Sequence, residues 1–95
     1  EGLTVKGETF GAWIKRMRRE CGLSRGKTCL RSGVSGMTLF DVERDKTYPA
    51  AMTAKTLYGL AVTLGIDPGV ILRRAAETDT FLAEWWRNPK RGEWR

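Results

Sequence analysis

Apolar residues in this chain recur every three or four positions and hardly ever alternate with polar ones: Phe10, Trp13, Ile14 and Met17 in one burst, Leu57, Leu60, Ala61 and Leu64 in another. That period is the stripe of an amphipathic helix, and a chain without period-two stretches has little from which to build strands, so an all-α fold is expected. Helix punctuation divides it into short pieces. The spacing predicts a first helix from near Glu8 or Thr9 to Gly22, with Lys15, Arg16 and Arg19 on its outer face. A second runs from a Ser24 cap to near Ser32 with a turn at Gly33, and a third from a Ser35 cap to about Arg44. Pro49 makes residues 45–51 a loop. A fourth helix carries the Leu57 to Leu64 stripe to Gly65, and Asp67-Pro68 starts a fifth with Val70, Ile71 and Ala75 inward. A sixth, from about Asp79 to Arg87, carries Phe81, Leu82, Trp85 and Trp86 and stops at Asn88-Pro89.

Ninety-five residues provide one small core, and 41% hydrophobic with 29% charged residues is the composition of a globular domain. Seventeen Lys plus Arg against eleven Asp plus Glu leave a net charge of +6, which favours a polyanionic partner. The sequence has no apolar run near the roughly 20 residues of a membrane span, and Glu1 to Phe10 lack the order of a signal peptide. A soluble, cytoplasmic protein with no membrane partner is expected. The absence of histidine removes the usual zinc sets and His-based triads, and there is no Gly-rich phosphate loop; no enzyme activity, cofactor or metal is expected. Cys21 and Cys29 read as free, partly buried thiols in preference to a disulfide.

The functional signal lies between Leu23 and Lys46, where two short helices capped by Ser24 and Ser35 meet at a glycine turn, the components of a DNA-reading helix-turn-helix. Here the sequence resembles the helix-turn-helix family of Cro and phage-repressor proteins, in Leu23-Ser24, Gly33-Val34-Ser35, Thr38-Leu39, Val42-Glu43-Arg44, Lys46 and Tyr48-Pro49, and further in Thr56-Leu57, Leu60-Ala61, Leu64-Gly65-Ile66, Asp67-Pro68 and Ile71-Leu72. The resemblance covers about Phe10 to Ala75. It implies a five-helix repressor-like DNA-binding bundle over residues 8–76, with residues 77–95 an added C-terminal helix and basic tail. It also implies a structural ion pair between Arg18 and Glu43 and a cytoplasmic setting in a bacterium or phage-infected host. Where the family has Gln, two acids, Leu and Ala, this chain has Arg25, Gly26, Lys27, Thr28 and Cys29; Thr28 and Ser32 replace buried leucines, and Asp45 replaces a glycine. Asp tolerates the left-handed conformation that such a turn requires.

On the third helix Leu39 and Val42 should face the core with Val34, leaving Gly36, Met37, Phe40, Asp41 and Arg44 outward. No Arg, Gln or Asn, the usual purine readers, occurs from Ser35 to Asp41. Asp41 accepts, most naturally from cytosine N4; Met37 and Phe40 pack on thymine methyl groups or on protein; Ser35 and Thr38 bond phosphate or base, and Gly36 permits close approach. Affinity is expected from Arg25, Lys27, Arg44 and Lys46 on phosphates, and part of the specificity from DNA shape.

The aromatic stripe Phe81, Leu82, Trp85 and Trp86 is open to two readings, a fold-back on the same bundle or a homodimer contact, and the mixed expectation packs Phe81 and Leu82 at home while Trp85 or Trp86 meets a partner. Arg87, Lys90, Arg91 and Arg95 would then form a basic arm. The function expected is a small phage or bacterial repressor occupying a double-stranded DNA operator through its recognition helix. The alternative is a protein-interaction module on the same fold, antitoxin-like or an adaptor, in which Met37 and Phe40 contact protein.

Overall fold

The computed structural model describes residues 7–87, apart from the side chain of Trp86. It is all-helical: α1 (Phe10–Glu20), α2 (Arg25–Ser32), α3 (Gly36–Glu43), a 3-10 turn (Pro49–Ala51), α4 (Ala54–Leu64), α5 (Pro68–Thr78) and α6 (Thr80–Arg87), with no strand among the described residues. Local chemistry sets most boundaries. The hydroxyls of Thr9, Ser24, Ser35 and Thr53 each accept the amide three residues on, and the Asp67 carboxylate accepts from Gly69 before Pro68 opens α5. Gly65 ends α4 in the left-handed region, at φ 69°. Within 45–51, Pro49 opens a 3-10 turn in a stretch expected to be plain loop.

The core is one cluster in which Phe10, Trp13, Ile14, Val34, Leu39, Val42, Leu57, Leu60, Leu64, Ile66 and Ile71 are buried, with Val70 packed at its edge. α1 packs on α3, α2 on α3 and α4, and α4 on α5, which also carries α6 and the 3-10 turn. The departures in α2 are absorbed by close packing. Thr28 is completely buried and returns its hydroxyl proton to the Ser24 carbonyl at 2.9 Å, so no polar atom is stranded where a leucine was expected. Ser32 fits because Gly59 of α4 lies against its carbonyl oxygen, with which any Cβ at 59 would collide.

Two polar links hold α3 to the rest. Arg18 meets Glu43 edge to edge, Nε to Oε2 at 2.6 Å and Nη2 to Oε1 at 3.1 Å, while Nη1 donates to the Leu23 carbonyl at 2.9 Å. Both side chains are buried, so the pair fixes where α1, α3 and the α1–α2 link meet. Asp45, in the left-handed region at φ 58°, turns back to cap α1. Arg74 is buried with its guanidinium 4.9 Å from the Trp13 ring, and its Nε and Nη2, like Trp13 Nε1, have no hydrogen-bond partner among the described residues. The indole face supplies electrostatic compensation in place of a carboxylate. On the α1 surface Glu8 and Glu20 bracket Arg16, and their hydrogen bonds, Glu8's first, raise its pKa further above an already high value.

α6 runs Thr80–Arg87, as expected from about Asp79, and Asp79 is the buried residue before it: Oδ2 accepts the Ala50 amide and Oδ1 the Leu82 amide, both at 2.8 Å. Two sequence expectations need correction. The thiols are free, but Cys21 at the end of α1 is exposed and only Cys29 is half-buried. Phe81 does not bury itself; it is 60% exposed and lies against the equally exposed Tyr48, ring centroids 5.7 Å apart. Leu82 and Trp85 are half-buried. The side chain of Trp86, together with Lys90, Arg91, Trp94 and Arg95, lies outside the described residues.

Candidate nucleic-acid interface

Only Gly33, Val34 and Ser35 separate α2 from α3. Gly33 takes φ 76°, a conformation that costs a Cβ-bearing residue about 1 kcal/mol or more, and so turns the chain sharply while its amide closes α2 on the Cys29 carbonyl at 2.9 Å. Val34 drops into the core and Ser35 starts α3. The two helices therefore meet around one buried side chain, and the orientation of α3 follows from its inner face of Leu39, Val42 and Glu43. Helical period then places Met37, Asp41 and Arg44 on the opposite line, with Phe40 beside them toward α2.

Met37 is 70% exposed, Arg44 is exposed, and Phe40 and Asp41 are half-buried. Phe40 is half-covered because two arginines stack on it: the Arg44 guanidinium lies 4.8 Å and the Arg25 guanidinium 5.3 Å from its centroid. A cation–π contact carries no opposing charge, so the ring holds two cations in place without neutralising them. Each contact contributes about 0.5 to 1 kcal/mol at an exposed site. Lys27 and Lys46 are exposed, and the Lys46 amide closes the end of α3 on the Asp41 carbonyl at 2.8 Å.

Between α2 and α3 runs a shallow groove of about 430 Å³ lined by Arg25, Gly26, Cys29, Gly36, Met37 and Phe40. A Cβ at Gly36 would meet nothing within 4 Å, so the start of α3 is open to a large flat partner. The Ser35 hydroxyl is committed to its own helix, accepting from the Thr38 amide at 3.1 Å and donating to Thr38 Oγ1 at 2.8 Å. Thr38 keeps a hydroxyl proton to donate. Arg25, Gly36, Met37 and Phe40 thus border one groove, Asp41 and Arg44 share the outward line of α3 with Met37, and Lys27 and Lys46 are exposed, whereas Arg18 and Glu43 belong to the interior. Sequence reasoning passed over Leu30, 85% exposed on α2; the half-polar sequence around it carried no signal of an outward apolar side chain.

A comparison with protein-family models, curated proteins and solved structures found no match to this chain. Among the described residues no group of three His, Cys, Asp or Glu is placed to hold a metal ion, and no helix is long and apolar enough to cross a membrane.

Proposed function

We propose that this chain is a sequence-specific double-stranded DNA-binding regulator of the helix-turn-helix kind, a small repressor-like bundle of five helices with α6 appended, acting by occupying an operator. The observation that carries the proposal is the α2–α3 surface: a short helix held outward by a buried inner face, with Arg25 and Arg44 against its Phe40 ring and Lys27 and Lys46 exposed two residues beyond each in sequence. In the docking geometry of such motifs the second helix enters the major groove and the first crosses the phosphate backbone. Arg25 and Lys27, in the first turn of α2, would then meet one strand, where the free amides of a helix N-terminus also favour an anion. Arg44 and Lys46, at the far end of α3, would meet the other.

The division of labour is electrostatic against chemical. Phosphate contacts contribute affinity without sequence information, and base edges are read by whatever lies between the cations. Here that is Gly36, Met37 and Asp41, with the Phe40 ring taken up by the two arginines: a face with one acceptor, one free apolar side chain and no bidentate donor. It favours cytosine N4 and pyrimidine methyl groups over purine N7 and O6. Nothing in this scheme calls for catalysis or a cofactor.

A homodimer through α6 belongs to the proposal. Tyr48 and Phe81 are exposed beside an apolar groove of about 330 Å³ that runs past Ala50, Ala51 and Leu82. The second reading, a protein-interaction module, draws on the exposure of Leu30 and Met37, which would seat a protein helix as readily as a groove of DNA. Selection from random duplexes decides between them. An enriched motif, with symmetry if two chains bind together, is the expected result; a chain that enriches no sequence and pulls down a protein without DNA supports the second reading.

A further inference from the structure

We infer that the outward face of α3 reads 5-methylcytosine, Asp41 accepting from the N4 amino group and Met37 covering the C5 methyl of the same base. The inference rests on the proposal that α3 enters the major groove, and adds the identity of the base.

Asp41 and Met37 are four residues apart on the outermost line of α3, so their Cβ atoms are neighbours at roughly 5 to 6 Å. Asp41 is the only acidic side chain on that face, and its carboxylate makes no hydrogen bond or ion pair within the described residues. The cations beside it, Arg25 and Arg44, are held against the Phe40 ring. An unengaged carboxylate on a surface built to approach phosphates is repelled by them, a cost that a matched donor on the DNA offsets.

The donor and acceptor pattern of the major groove selects that donor. Adenine presents N6–H beside the N7 acceptor, guanine presents two acceptors, and thymine presents the O4 acceptor beside its methyl; each sets a lone pair against the carboxylate. Cytosine alone carries a major-groove donor and no acceptor of its own. The atom adjacent to that amino-bearing carbon is C5, and one turn back along α3 from Asp41 stands a flexible thioether, 70% exposed and bordering the groove with Gly36, to cover it. Bare cytosine leaves Met37 over a hydrogen, and thymine supplies the methyl with the wrong polar partner. Only 5-methylcytosine satisfies both side chains at once.

The test runs duplex selection with the full chain in parallel on two random libraries, one made with cytosine and one with 5-methylcytosine throughout. The best site is then resynthesised with cytosine, 5-methylcytosine or thymine at each pyrimidine, and affinities are measured by anisotropy. At one position 5-methylcytosine should bind about fivefold tighter than cytosine, the effect of burying one methyl group, and thymine should bind about tenfold or more weaker. Met37→Ala should erase the methyl preference and keep cytosine over thymine; Asp41→Asn should erase the discrimination against thymine and keep the methyl preference. A specific site at which cytosine and 5-methylcytosine bind equally everywhere overturns the inference and leaves DNA reading standing. A chain that retains no duplex from either library overturns the DNA-binding proposal, and this inference with it.

Discussion

Asp45 and Gly11 lie 34 residues apart in sequence, yet Asp45 Oδ1 accepts the Gly11 amide at 2.9 Å while Oδ2 takes the Thr9 hydroxyl at 2.8 Å. The residue that leaves α3 in the left-handed conformation is thus also the carboxylate at the positive end of α1. Asp45→Ala loses a cap and keeps the backbone strain, and should lower stability by about 2 to 3 kcal/mol, roughly 8 to 24 °C in Tm for a domain of this size. Asp45→Gly removes the strain and should cost about half as much. Thermal melts of the two variants separate the contributions; equal losses would show that the carboxylate alone matters.

The Arg18–Glu43 pair makes the opposite kind of demand. Glu43→Gln or Arg18→Met leaves a buried charge without its partner, and each should destabilise by about 3 to 5 kcal/mol. The double variant Arg18→Met, Glu43→Leu should recover much of that loss, since a packed apolar pair needs no desolvation of charge. Duplex affinity of the refolded double variant should match that of the parent. A tenfold loss at full folding would instead place one of the two residues on the DNA.

Much of the fold was legible because caps and stops act within three or four residues. Ser24, Gly33, Ser35, Gly65 and Asp67-Pro68 each set a helix end where local chemistry predicted one. What escaped sequence reasoning is long-range: Asp45 capping α1, Asp79 buried between α6 and the 3-10 turn, Arg74 lying on Trp13, and Gly59 making room for Ser32. No spacing rule reports which distant amide a carboxylate will find. The outward face of α3 was legible from period alone, but the stacking of Arg25 and Arg44 on Phe40 required the third dimension, because Arg25 belongs to another helix.

That stacking predicts a positioning role for Phe40. Phe40→Leu should weaken specific and non-specific duplex binding by a similar factor of about three to ten, as two cations lose their contacts with the ring. Arg44→Ala and Lys46→Ala should likewise act on both kinds of duplex and reduce the salt slope by about one each. If Phe40→Leu changes the preferred base and spares non-specific affinity, the ring reads DNA itself.

Asp79 anchors α6, so the cut point decides what a truncation reports. A chain ending at residue 78 loses the two buried hydrogen bonds of Asp79 and should melt earlier; a chain ending after Asp79 keeps the one to Ala50 and should melt closer to the parent. Phe81→Ser, at an exposed position, should change stability by less than about 0.5 kcal/mol while shifting sedimentation toward the monomer and weakening binding to a two-half-site duplex. An unchanged sedimentation profile would remove Phe81 from any dimer contact.

The salt dependence of duplex binding by the unmodified chain tests the assignment of α2 and α3 to DNA most directly. Contacts from Arg25, Lys27, Arg44 and Lys46 to phosphates predict that log K falls with log salt at a slope of about −3.5 per bound chain. A slope near zero, or no duplex binding at low salt, would contradict the assignment of the α2–α3 surface to DNA.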